Sequence, residues 1–243
     1  MDSKQLRDGD FFDTLGTLFK AITPSMEALK LNIWTFVLLA VVPGAILMLA
    51  FFFALIPLLA AGNGSDTVAG IGLVFVFAIA LLALIAALVF APAMVQTQIA
   101  SVKGQKVEFG EAFNKAKPYV LRFIGLGLLA GLAIIVGLLL FVIPGLLAIF
   151  FFSYAGYVLV DKNVGVVDSL KASYELAKEY WKVTAGLFIV NAAISAVGYF
   201  PVIGGLASLV LTIAYFCLGA MVYLAIAGKK TAVAEAEVVK KKK

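Results

Sequence analysis

The residues that could do chemistry deep inside the apolar runs of this chain are few and neutral. Asn191 and Ser195 are four apart, so a helix carries them on one face. Gln96 and Gln98 sit near the end of another apolar run, and Ser153 and Tyr154 lie within a third. Between membrane helices, amides and hydroxyls have two uses. They hydrogen-bond across a helix pair, at about 0.6 kcal/mol each, or they line a path for a lipid or small solute. Ion pumping needs ionisable groups inside the spans. No Asp, Glu, Lys or Arg falls near the middle of any apolar run, and His is absent from the chain. The commonest general base and metal ligand is therefore missing. The lone Cys217 can form neither an internal disulfide nor a thiolate cluster, and reads as a small buried hydrophobe. Glu108, Glu111, Asp161 and Asp168 read as loop charge and helix-start residues. The expectation is a protein that is not an enzyme and carries no cofactor or metal.

The composition says what must position these groups. Of 243 residues, 63% are hydrophobic and only 14% charged, with a mean hydropathy of +1.09. So few charges cannot cover a water-exposed surface, and so much apolar content excludes disorder. An all-α integral membrane protein remains. The apolar runs give six spans in three hairpins, at about residues 33–101, 119–160 and 183–227. Pro57, Pro144-Gly145 and Gly204-Gly205 are expected to turn the chain between spans. Residues 1–228 then form one membrane domain, followed by a basic tail over 229–243.

Charge placement sets orientation. All nineteen Lys and Arg fall on one side of this six-span arrangement, and only Asp66 lies on the other. The positive-inside rule makes the basic side cytoplasmic. The expectation is a cell-membrane protein with both termini in the cytoplasm and no cleavable signal, because Asp2, Asp8, Asp10 and Asp13 precede the first long apolar run. Its partners are the bilayer, including anionic headgroups, and a protein on the cytoplasmic face. Nucleic acid is not expected, since the cations lie among acids and apolar faces.

Three segments on the basic side read as amphipathic helices. Their stripes are Phe12, Leu15, Phe19 and Ile22, then Phe109, Phe113 and Ala116, then Val167, Leu170, Tyr174, Ala177 and Trp181. Thr23-Pro24 reads as a cap and first turn leading toward the first span. Tyr119, Tyr180 and Trp181 stand where helices meet the bilayer, the usual place for interfacial aromatics. Gly127 and Gly131 share a face and read as a close-packing surface. Residues 112–119 resemble residues 173–180 at an offset of 61, and the first hairpin matches more loosely. Two-span units repeated in one orientation imply a parallel pseudo-threefold arrangement.

The run Phe141-Val142-Ile143-Pro144-Gly145-Leu146, then Tyr157 to Asp161, then Val167 to Leu176, resembles a signature of prokaryotic multi-pass membrane proteins. That group includes the YciC-like proteins and the membrane domain attached to some glycerophosphodiester phosphodiesterases. The resemblance covers about residues 91–190, with Ser169 where the group usually has Ala. It implies the fold, and with no phosphodiesterase domain expected here it brings no activity. Two functions stand beside each other: a scaffold, accessory or envelope-maintenance protein, and a channel, carrier or lipid-translocating protein.

Overall fold

Long runs of Leu, Ala, Ile, Val and Phe form helices here because in hydrocarbon every backbone N–H and C=O must be paired within its own segment. In the computed structural model, residues 3–39, 42–45, 48, 51, 66–199 and 203–241 are described. Among these residues every regular element is helical. The order begins with α1 (Ser3–Asp8), α2 (Phe11–Lys20) and α3 (Ile22–Leu31). Helix α4 comprises helical residues 33–39 and 42–45, and the expected Pro57 turn lies outside the described residues. Helix α5 (Asp66–Val102) follows, then α6 (Phe109–Ala116), the short 3-10 turn Lys117–Tyr119, and α7 (Val120–Leu140). The rest are α8 (Val142–Phe151), α9 (Ala155–Asp161), α10 (Val166–Glu179), α11 (Trp181–Val197) and α12 (Ile203–Lys241).

Among the described residues, four stretches are long and apolar enough to cross a membrane: Val74–Val102, Phe109–Leu140, Val142–Asp161 and Val210–Gly228. The number rises to six if two bent pairs each make a span. One pair bends by 82° between α3 and α4, the other by 93° between α10 and α11.

Local chemistry explains several boundaries. Helix α5 ends in a Schellman turn: Gly104 takes φ +72°, its N–H donates to the Ser101 carbonyl, and Gln105 N–H donates to Ala100. Only glycine enters that region without strain. Helix α10 starts after an extended Gly165, with Asp168 in its first turn and Lys178 in its last, both matched to the helix dipole.

Helix α12 is the central post. It packs on α3, α5 and α11, and α11 in turn holds α2. Leu218, Val222, Tyr223 and Ile226 of α12 are fully buried with Tyr154, Val158, Leu176, Val183 and Leu18. Cys217 of the same helix is buried in a second cluster, with Leu29 and Phe36. Lipid tails are as apolar as leucine, so burial alone does not drive spans together, and close packing and hydrogen bonds must. The glycines show where. A Cβ on Gly127 would lie 2.7 Å from Leu88, and one on Gly186 would lie 2.5 Å from Leu18. Nothing approaches Gly131 within 4 Å, so of the expected glycine pair only Gly127 makes a close contact.

The structure corrects the expected turns. Phe141, in extended conformation, is the whole link between α7 and α8. Pro144 and Gly145 stand in the first turn of α8 instead, where a proline needs no N–H partner. Gly145 faces Gly137 across this hairpin. Gly204 and Gly205 likewise lie in the first turn of α12. Thr23 and Pro24 lie within α3, which starts at Ile22.

Two amphipathic stripes are rotated from expectation. On α10 the buried residues are Ser169, Leu170, Ser173, Leu176 and Ala177, while Val167, Tyr174 and Trp181 are exposed. Small side chains face inward because α8 and α9 pass close by. On α2, Thr14 and Leu18 are buried, and Phe12 is 75% exposed. The α6 stripe holds more closely: Ala112 and Ala116 are buried, and Phe113 packs on Phe90 with ring centres 5.7 Å apart.

Candidate functional site: polar clamps and a crevice at the basic end

The polar side chains between helices gather where the backbone breaks. At the 82° bend between α3 and α4, Asn32 is 3% exposed. Its Nδ2 donates to Ser101 Oγ and to the Gln105 carbonyl, both at 2.8 Å. Its Oδ1 accepts from Val107 N–H at 2.7 Å. Thr35 Oγ1 donates to the Val107 carbonyl at 2.6 Å. One amide and one hydroxyl thus fasten the bend to the end of α5 and its following loop.

The second clamp mends a broken span. The chain leaves helical geometry at residues 152–154, between α8 and α9, midway along Val142–Asp161. A backbone break at that depth strands donors and acceptors, each costing several kcal/mol in hydrocarbon. Ser173 of α10 repairs it. Its Oγ donates to the Phe151 carbonyl at 2.7 Å and accepts from Tyr154 N–H at 3.1 Å. The Tyr154 hydroxyl meets Thr184 Oγ1 at 3.1 Å, and Thr184 donates to the Tyr180 carbonyl. Replacing Ser173 with alanine leaves both backbone groups bare, and should cost about 2 kcal/mol. Unfolding of S173A and S173T in mixed micelles checks this, with S173T expected to recover part of the loss by supplying a hydroxyl. Equal stability of S173A and the parent would remove the clamp.

The third clamp joins charges. Lys103 Nζ lies 3.3 Å from Asp161 Oδ1, and the Tyr223 hydroxyl donates to Asp161 Oδ2 at 3.0 Å. It ties the end of α5 to α9 and α12. Beside it opens a crevice of about 300 Å³ lined by Gln96, Lys103, Gln105, Lys115, Tyr119 and Asp161 among others. Gln96 Nε2 donates to the Lys115 carbonyl at 2.9 Å. A smaller cavity of about 170 Å³ lies further along the bundle, where Ser153, Tyr154, Tyr157, Thr184 and Tyr215 bring hydroxyls together.

The residues expected to form a polar lining separate in the fold. Asn191 and Ser195 are exposed on α11, because its inward face is Val183, Thr184, Gly186, Leu187, Val190 and Ile194. Gln96 lines the crevice, while Gln98 is buried with its Oε1 unpartnered among the described residues. Of the expected interfacial aromatics, Trp181 is 53% exposed and Tyr119 half-buried. Tyr180 departs from expectation and is buried in the main core, since the 93° bend that it occupies turns it inward. Sequence reasoning passed over Ser173, Gly137 and the Asp161–Tyr223 pair. Spacing carried a signal for the first: Ser169, Ser173 and Ala177 recur every four residues as a small-residue face of α10.

Apolar helices, hydroxyl clamps at their breaks and a charged end define a multi-pass α-helical membrane protein. Over residues 70–225 the chain matches the model of an uncharacterised protein family, UPF0259, and it belongs to that family. No curated protein and no solved structure matches it.

Proposed function

We propose that this is a non-catalytic protein of the cytoplasmic membrane with a scaffolding, accessory or envelope-maintenance role. In this reading six spans form three hairpins and both termini lie in the cytoplasm. One observation carries it: four buried polar side chains are engaged in holding backbone at or beside the bends and the break. Asn32, Thr35, Ser173 and Thr184 all bond to main-chain atoms. Side chains so committed keep a shape, and a fixed shape suits a platform. The faces offered to a partner are the exposed aromatics of α2, α10 and α11, namely Phe12, Phe19, Tyr174 and Trp181.

Coincident burial supports the parallel repeat of the second and third units. At the offset of 61, Ala112 and Ser173, Ala116 and Ala177, Phe123 and Thr184, and Leu126 and Leu187 are all buried. The uncharacterised family is consistent with the YciC-like group.

Affinity purification in mild detergent tests the role. A reproducible partner is expected, and its recovery should fall in the double variant F12S/F19S, whose exposed positions leave folding unchanged. Absence of any reproducible partner would sink the scaffold reading. Reporter fusions at both ends test the orientation, with activity expected only from a cytoplasmic reporter.

A further inference from the structure

A second, separate cavity lies along the same seam of α5 and α9 as the crevice at Lys103. An apolar groove of about 340 Å³ runs along α5, α7 and the α8–α9 break, lined chiefly by Leu88, Phe123, Leu126, Ala130, Ile134 and Ile149. Its register sets it further along the helices than the crevice. On α5, Leu88 of the groove and Gln96 of the crevice are eight residues apart, about 12 Å along the axis. Phe123 on α7 follows Tyr119 of the 3-10 turn by four, and on α9 Gly156 precedes Val160 by four. The polar end lies with the chain's cations, and the apolar end reaches the middle of the span.

We propose that this seam is a binding site for one anionic phospholipid, its phosphate in the Lys103–Lys115 crevice and an acyl chain in the groove. Charge selects the occupant of the polar end. From Lys103 to Arg122 the chain carries five cations and two carboxylates. Asp161 has a partner on each oxygen, Lys103 on one and Tyr223 on the other. An ammonium has three donors, so Lys103 keeps two for a phosphate. Lys115 has the same surplus beyond its 2.7 Å pair with Glu111. Gln96 uses its Nε2 on the Lys115 carbonyl, which leaves Oε1 to accept from a headgroup hydroxyl. The carbonyls of Ala100 and Ser101, which would repel a phosphate, are occupied by the Gly104 turn. At the apolar end the groove is narrow where Gly156 faces Phe123. A Cβ there would stand 3.5 Å from the ring, in ordinary contact, so Gly156 and Phe123 close the inner wall of the groove. The site is independent of the scaffold role, since a scaffold and a carrier could each hold a structural lipid.

The test is native mass spectrometry of protein released from nanodiscs containing equal phosphatidylglycerol and phosphatidylcholine. The parent protein should retain one phosphatidylglycerol in preference to phosphatidylcholine. Retention should fall about fivefold for each lysine removed, the equivalent of ~1 kcal/mol per nearby charge. K103Q/K115Q removes both. K115Q alone guards against misfolding, since Lys115 is exposed and paired only on its own helix. G156L should lower retention of both lipids by filling the groove. Equal retention of the two lipids, or unchanged retention in K115Q and G156L, would overturn the proposal. So would binding of free glycerol 3-phosphate in detergent as tightly as phosphatidylglycerol, which would make the crevice a site for soluble phosphates.

Discussion

Replacing Gly137 with valine should break the hairpin of α7 and α8, at a cost of about 3 kcal/mol or more. The reason is geometric. A Cβ at Gly137 would stand 2.8 Å from the Gly145 backbone nitrogen, 2.9 Å from its Cα and 3.0 Å from the Pro144 carbonyl carbon. These atoms cannot rotate away as a side chain can. From the other side, a Cβ at Gly145 would strike Leu138 at 2.4 Å. The two glycines therefore let two helices approach at backbone distance directly beside a one-residue link at Phe141. In hydrocarbon this approach is the main source of helix–helix attraction, because lipid competes for every apolar contact. A control comes from the same helix. Gly131 has nothing within 4 Å, so G131A should be neutral or gain roughly 0.5–1 kcal/mol from reduced backbone entropy. Unfolding in mixed micelles of increasing sodium dodecyl sulfate measures both. If G137V resists unfolding as well as G131A, the hairpin does not pack as described.

Asn32→Leu should be the most damaging polar substitution, at about 3 kcal/mol, because it strips partners from three groups at once. Ser101 Oγ, the Gln105 carbonyl and the Val107 N–H all lose their bond to the Asn32 amide. Leucine has a similar volume, so the loss reports hydrogen bonding more than a cavity. Thr35→Val removes only the bond to the Val107 carbonyl and should cost about 1 kcal/mol. The order N32L well below T35V in melting temperature is the first readout. The second is local. Residues 103–108 are held by this clamp, so trypsin should cut N32L after Lys103 or Lys106 faster than the parent. A variant that melts early yet resists cleavage there would place Asn32's contribution elsewhere in the fold.

Both residues bear on what could be read in advance. Asn32 was legible only as a polar residue at the start of an apolar run, and Gly137 as one glycine among many. Ser153 and Tyr154 stood out inside a hydrophobic run, and the structure gives them a cause: they occupy the break that Ser173 mends. Asn191 and Ser195 stood out equally, yet they face outward on α11. A lone polar residue in an apolar helix marks a need for a partner, and its sequence position does not say whether that partner is backbone, side chain or solvent. The crevice illustrates the same limit. Gln96 was named in advance, but Lys103, Lys115 and Asp161 come from three loops and helix ends, which only folding assembles.

By itself the sequence determined the solvent and the helices, and gave an expectation of which end of the molecule collects charge. Those follow from composition and from the transfer cost of each charge, which act residue by residue. It also located the three basic-side helices within a few residues. The tertiary structure alone decided which face of each helix turns inward. Core and lipid are equally apolar, so hydropathy cannot separate a protein-facing leucine from a lipid-facing one. On α10 the choice fell to Ser169, Ser173 and Ala177, and on the α7–α8 hairpin to Gly137 and Gly145. What selects the inward face in a membrane is the distance of closest approach and the pairing of backbone groups, and both are properties of two segments together.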